Sequence, residues 1–342
     1  MNRKDEHVTL ALEQAEHTKQ NDFDQIQLIH HSLGSIDVEQ VDISTQIGSI
    51  PLEIPFFINA MTGGSEWTKD INAKLGYVAK QTGIAIATGS MSAALKDDSL
   101  WDSFTVVRDV NPNGLVFANI NPNISVEDAQ IAIQKVQGKA LQIHLNAAQE
   151  IVMSEGDRSF SHWRSNIKAH LQSHKVDVIV KEVGMGMSGQ TIKELIDLDV
   201  KIIDISGRGG TNFVSIENAR KGNSQMNYMT NWGQSSVQSL LEALPYLSQV
   251  DIIASGGIRN ALDMVKSFVL GAKAIGISGV ILQSVMNQGV EATIQMIENW
   301  QQDLIKIMSL LGARTILDLR KVDVVLSLEL QHYLKSREIN KY

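Results

Sequence analysis

The stretch "VDIIASGGIRNALDMVKSFVLGAKAIGISG", residues 250–279, decides the fold. It opens on an apolar, β-branched run and turns on two glycines. An amphipathic segment follows, and a second apolar run ends in Ser-Gly. Apolar runs without clean polar alternation suit strands buried on both faces, as in a parallel sheet. A strand, a helical crossover and a second strand make one βαβ unit.

The same phrase recurs upstream. Strands are predicted at "PFFINAM" from Pro55, "IAIATGS" from Ile84, "LVFANI" from Leu115 and "ALQIHL" from Ala140. Two more follow at "VDVIVKEV" from Val176 and "VKIIDISG" from Val200. Helical patterns fill the gaps. "SVEDAQIAIQKVQG" has Ser125 as an N-cap, acids in its first turn and Gly138 as a stop. "GQTIKELIDLD" and "QSSVQSLLEALPYL" are similar crossovers. This repeated alternation predicts an α/β fold, a (β/α)8 TIM barrel, with a doubly wound open sheet as the alternative.

Three regions fall outside the repeat. Residues 1–54 form an N-terminal arm with an edge hairpin around "VEQVDISTQIGSIPLEI", and residues 55–342 form the barrel with a C-terminal helical extension. The connection from Gly207 to Ser236 is long and rich in Gly, Asn and Ser, which suggests a lid carrying Trp232. The tail from about Val285 reads as two or more helices.

Bulk properties exclude several classes. The chain has 342 residues, 43% apolar, with a net charge of −8, which argues against general nucleic-acid binding. No apolar run reaches the length of a membrane span, and "MNRKDEHVTLALEQAEH" has no signal-peptide core, so a cytoplasmic location is expected. There is no cysteine, hence no disulfide, thiolate metal site or cysteine nucleophile.

In a barrel the chemistry sits at the carboxyl ends of the strands. Those ends carry Asn59, Met61, Thr62, Thr88, Ser90, Asn119, His144, Asn146, Lys181, Glu182, Ser206 and Thr211. The last two supply Ser255, Gly256, Gly257, Ser278 and Gly279, whose turns expose backbone N–H groups next to helix N-termini and so suit a phosphate. Lys181 ends an apolar strand, where it could neutralise an anionic cofactor edge, form a Schiff base or pair with Glu182. "RKDEH" sets Arg3, Lys4 and His7 beside two acids, either a solvated start or a phosphate-binding cluster. In "QIHLNAAQE", Gln142 to Glu150, the spacing of His144 and Glu150 fits no standard zinc motif.

With these residues assembled, the chain resembles the type 2, flavin-dependent isopentenyl-diphosphate delta-isomerases. The likeness rests on "RKDEH", "NAMTGGS", "QIHLNAAQE", "EGDRSF", "VIVKEVGMGMS", "GRGGTNF", "NWGQS" and "ASGGIRNALD", in that order over nearly the whole chain. It implies FMN, Mg2+ and NAD(P)H, interconversion of isopentenyl and dimethylallyl diphosphate, and a homotetramer or homo-octamer. It places Ala60, Met61 and Thr62 along the flavin, with Ser90, Asn119 and Lys181 at its ring and Ser206 and Thr211 in the same shell. Gly256, Gly257, Ile258 and Arg259, with Ser278 and Gly279, would hold its phosphate. Arg3, Lys4 and His7, with Ser90, Met91 and Ser92, would meet the substrate. Gln149 would reach the substrate, with His144 and Asn146 completing the catalytic set, and Glu150 would bind Mg2+. The chain departs from the family after Ser90, where "SMSAAL" replaces a stretch with a basic residue, and at "NINPN" after Asn119.

Two other readings compete. A flavin-dependent 2-hydroxyacid oxidase needs a His base beside Gly-Gly after a late strand, where this chain has Arg208 in "SGRGGTNF". A non-catalytic flavin-binding protein leaves "RKDEH", Gln149 and Glu150 without a role.

Overall fold

The computed structural model describes residues 3–15, 21–34, 36–221 and 226–339. Residues 16–20 and 35 of the predicted arm, and 222–225 of the predicted lid, lie outside the described residues. Eight parallel strands close into a barrel. They are Phe56–Ile58 (β1), Ala85–Ala87 (β2), Val116–Ile120 (β3), Ala140–Leu145 (β4), Asp177–Glu182 (β5), Ile202–Asp204 (β6), Asp251–Ser255 (β7) and Ala274–Ile277 (β8). Closure comes from pairing of β8 with β1, Ile275 opposite Phe56 and Ile277 opposite Ile58. The open-sheet alternative is thereby excluded.

A helix Arg3–Ala15 (α1) precedes the barrel. The crossovers are Glu66–Thr82 (α2), Asp102–Val110 (α3), Val126–Val136 (α4), Ala147–Val152 (α5) with Trp163–Ser173 (α6), and Gly189–Asp197 (α7). Phe213–Lys221 (α8) and Ser236–Ala243 (α9) join β6 to β7, and Ala261–Val269 (α10) joins β7 to β8. Gly279–Asn287 (α11), Val290–Leu310 (α12) and Leu328–Ser336 (α13) follow. Ser125 caps α4 by accepting the Asp128 N–H at 3.0 Å. The left-handed residue at its far end is Gln137, with φ 48°, rather than the expected Gly138.

Strand residues alternate between two cores. Phe56, Ile58, Val116 and Ala118 face the helices, while Phe57, Ala85, Phe117, Ile179, Ile202 and Ile253 fill the barrel. Phe57 and Phe117 meet edge to face at 5.4 Å, a favoured aromatic geometry. The hairpin Thr45–Ile47 with Ile50–Leu52 is a plug, not an edge: Ile47, Ile50 and Leu52 pack into the barrel interior. Its turn docks on strand starts, Gly48 N–H on Asp251 at 2.9 Å and Ser49 N–H on Asp177 at 2.8 Å. The base of the barrel is therefore filled, and the free space lies at the opposite end. Among the described residues no helix is long and apolar enough to cross a membrane.

Candidate active site

At the carboxyl ends of the strands lies a cavity of about 640 Å³, within the range usual for small-molecule and cofactor sites. Helix α1 forms its outer wall. Arg3, Lys4, His7, Val8, Ala11 and Gln14 all line the cavity, a spacing that puts them on one face of a helix. The helix is tied down on both flanks. Ser65 donates to Asp5 at 2.6 Å, Arg220 Nε to Glu6 at 3.0 Å, and the Asn212 N–H to Gln14 Oε1 at 2.9 Å. "RKDEH" is thus a docked helix start. Burial, and then the neighbouring Arg3 charge, bring Lys4 down to about 8.

The floor is a polar network that the barrel isolates from water. Asp204 is fully buried and accepts from Asn59 Nδ2 at 2.7 Å, Ser255 Oγ at 2.5 Å and the Ser206 N–H at 3.2 Å. Around the barrel His144 pairs in register with Lys181, and Lys181 with Asp204. Lys181 Nζ donates to the Glu182 carbonyl at 2.8 Å. Burial pulls the Lys181 amine below its ordinary value, while Asp204 and Glu182 oppose that pull. The Glu182 carboxylate accepts N–H groups of Val183, Gly184 and Met185 at 2.6, 2.7 and 2.5 Å, which fixes the turn presenting Val183 and Gly184 to the cavity. Burial raises Glu182 to about 7, against those bonds and the Lys181 charge.

His144 Nδ1 lies 2.8 Å from Asn119 Oδ1, so Nδ1 carries the proton and Nε2 is left as an acceptor. Burial, then the charges of Lys181 and Lys4, hold the imidazole down at about 3. A group with that value is neutral throughout the physiological range. The His144 ring-proton NMR signal is therefore expected to show no titration between pH 5 and 9; an inflection near the ordinary histidine value would contradict this assignment.

The β7 and β8 turns form a glycine rim. Gly256, Gly257, Ile258, Arg259, Ser278 and Gly279 all line the cavity. Ser278 makes no side-chain cap on α11, so the first amides of that helix remain available for an anion. Arg259 is committed elsewhere: its guanidinium holds Asp24 at 2.6 Å and Asp263 at 2.7 Å, and its N–H goes to Asp263 at 3.1 Å. The rim's backbone N–H groups, rather than that side chain, are the groups placed to meet an anion. Ala60, Met61, Ser90, Asn119, Ser206 and Thr211 also line the cavity. Thr62 joins them with a buried hydroxyl that has no hydrogen-bond partner. A cavity with an orphaned hydroxyl, a buried lysine on its floor and an uncapped helix start fits a flavin mononucleotide.

Beside α1 the β4 loop gathers the remaining groups. Asn146 Nδ2 donates to Glu150 Oε1 at 2.8 Å, and the Asp157 N–H to Glu150 Oε2 at 2.9 Å. Gln149 Nε2 donates to Glu217 Oε1 at 2.8 Å. His7 Nε2 is 3.0 Å from the same oxygen but off the line of a hydrogen bond. Burial alone would raise Glu217, but His7, Gln149 and Arg220 together hold it at about 2. Glu217 and Asp204 were not singled out in the sequence. Nor was Lys96, which enters the cavity wall four residues beyond Ser92, where a basic residue was missing.

Two residues sit elsewhere than the cavity wall. Met91 is not on the cavity wall: it is fully buried in the helix-facing core, because the 3-10 turn Met91–Ala93 points Ser90 and Ser92 inward instead. Trp232 is 59% exposed and does not line the cavity in this structure, whereas the Phe213 ring, at the start of α8, does. Arg208, at the position where an oxidase keeps its histidine, is outside the cavity wall and donates to the Gly233 carbonyl at 3.0 Å.

The fold and this rim define a flavin-binding (β/α)8 enzyme, and residues 96–325 match the family of FMN-dependent dehydrogenases. Among solved structures, a flavocytochrome b2 variant has a TM-score of 0.70 at 17% identity, covering 98% of this chain and 85% of its own. A mandelate oxidase variant with (S)-mandelic acid has a TM-score of 0.64 at 12% identity, covering 94% and 91%; both likenesses concern the fold alone. Relatives are far more similar in sequence. The isopentenyl-diphosphate delta-isomerase of Staphylococcus saprophyticus is 46% identical over 99% of this chain and 97% of its own. That of Staphylococcus aureus (strain Newman) is 44% identical over the same shares. The chain belongs to the flavin-dependent isopentenyl-diphosphate delta-isomerases.

Proposed function

We propose that the chain interconverts isopentenyl and dimethylallyl diphosphate with FMN, Mg2+ and NAD(P)H, the nicotinamide serving as the flavin's reductant. The observation that carries this reading is that one cavity has two anion-binding ends: the glycine rim at β7 and β8, and the cationic face of α1 beside Glu150.

The reaction adds a proton at one carbon and removes one from another, with no net oxidation. Reduced FMN, held by the rim and the floor, would supply the proton donor and acceptor and an electron-rich face. The chain's residues bind, orient and exclude water. Lys181 places a buried amine on the floor, where low polarity strengthens its polar contacts. His144, neutral and hydrogen-bonded to Asn119, holds its face of the pocket without competing as an acid. Gln149 is fixed by Glu217 beside the reacting end of the substrate. Arg3, Lys4 and His7 meet the diphosphate.

Glu150 carries the Mg2+. Among the described residues no three metal-ligating side chains cluster. Mg2+ keeps several waters and commonly takes only one or two carboxylates plus substrate phosphates, so one glutamate suffices. We assign the cytoplasm as its compartment and a homotetramer or homo-octamer as its assembly. The exposed apolar residues Leu328, Leu317 and Leu33 are available for subunit contacts. The test is an anaerobic assay with isopentenyl diphosphate, FMN, Mg2+ and NADPH. Dimethylallyl diphosphate is the expected product, and its absence under reducing conditions would overturn the reading.

A further inference from the structure

The glycine rim is held from behind by a segment that does not line the cavity. Asn21 precedes the 3-10 turn Asp22–Gln25, and the turn is anchored by buried Phe23. Lys266 Nζ donates to the Phe23 carbonyl at 2.7 Å. From this fixed point the Asn21 side chain reaches the rim, and its Nδ2 donates to the Gly257 carbonyl at 2.7 Å.

The orientation of that amide is not arbitrary. Its Oδ1 accepts the Phe23 N–H at 3.0 Å. Turning the amide over would set two donors against each other and two acceptors against each other. Asn21 also lies against the neighbouring turn, since a Cβ on Gly209 would come 3.6 Å from its Cβ and 3.7 Å from Nδ2. That turn and the rim already touch backbone to backbone: a Cβ on Gly257 would be 2.9 Å from the Gly209 Cα. One side chain therefore braces two glycine turns that both face the cavity.

The consequence follows from peptide geometry. In a trans peptide the C=O of one residue and the N–H of the next point in opposite directions, and no cis bond occurs among the described residues. With the Gly257 carbonyl held outward on Asn21, the Ile258 N–H points the other way, and Ile258 lines the cavity. Gly257 has φ +75°, a conformation glycine adopts readily, so without a brace this peptide could turn.

We infer that Asn21 is a positioning residue for the cofactor phosphate: its amide fixes the Gly257–Ile258 peptide so that the Ile258 N–H faces the phosphate. This rests on the FMN reading of the rim. The test titrates apoprotein with FMN and with riboflavin, which lacks the phosphate. Two variants are used, Asn21→Ala and Asn21→Asp. The second keeps an oxygen for the Phe23 N–H but cannot donate to Gly257.

Loss of one neutral hydrogen bond predicts FMN affinity weakened about two- to tenfold, with riboflavin affinity unchanged. A purely structural role would weaken both ligands alike, and that result, or no change in either, would overturn the inference. Gln25→Ala loosens the same segment, removing its side-chain bonds to Asp22 and Ser327, without touching the rim. An equal FMN-selective loss in that variant would likewise reject the Asn21 amide as the cause. If wild-type apoprotein bound riboflavin as tightly as FMN, the rim itself would be misread, a failure distinct from that of Asn21.

Discussion

Glu150→Gln is expected to lower kcat/KM by on the order of 10²-fold or more, the scale of removing one preorganised electrostatic contact from an active site, while FMN stays bound. Both carboxylate oxygens of Glu150 already accept a bond, from Asn146 and from the Asp157 N–H. Each oxygen keeps a second lone pair for a metal ion. Glutamine removes the negative charge and turns an NH2 group toward one of those two donors. The loss should appear as a weaker dependence on Mg2+ and a raised KM for the diphosphate. Flavin titration should be unchanged, because Glu150 follows β4 and the glycine rim follows β7 and β8, across the barrel. Release of FMN from this variant would show that the carboxylate serves the cofactor instead.

Gly256→Ala should have the largest effect on the protein itself. Gly256 has φ +90°, and a Cβ there would lie 2.0 Å from the Gly207 carbonyl oxygen and 2.9 Å from Ser236 Oγ. Neither neighbour can retreat easily: the first is backbone, and the second is bonded to the Ser255 carbonyl at 2.8 Å. A clash of this kind falls at the severe end for single substitutions, roughly 4 kcal/mol or more, and it distorts the anion rim. The variant should purify without yellow colour and melt on the order of 10 °C lower. Gly83→Ala is the control. Gly83 also has positive φ, +74°, but a Cβ there meets nothing within 4 Å. Its cost should be only the backbone term, about 1–2 kcal/mol, with flavin retained. Equal behaviour of the two variants would mean that close packing at Gly256 is unimportant.

What could be read from the sequence was what repeats or has local cause. Strand runs, crossover helices and the paired glycine turns each depend on a few adjacent residues, and the family motifs fixed their order. Contacts made at long range were less legible. The Ile47–Ile50 hairpin looked like an edge because its partners, Asp177 and Asp251, lie 128 and 203 residues away. Met91 was grouped with its serine neighbours, but a three-residue 3-10 turn has no period from which to tell which side chain faces inward. Trp232 drew attention as a large ring in a long loop, whereas Phe213 four residues before Glu217 opens the helix that faces the site. Asp204 sat inside an apolar strand pattern; only the closed barrel shows that it meets Asn59 and Ser255 from other strands.

The hairpin at the base has a consequence for traffic. A barrel stoppered at its base opens, among the described residues, at the other end, and there the way in runs beneath one short helix that carries Arg3 and Lys4. On the proposed reading, the flavin and its diphosphate substrate would share that entrance. Sorting by charge can therefore begin at the threshold, before any molecule reaches the floor where the double bond moves.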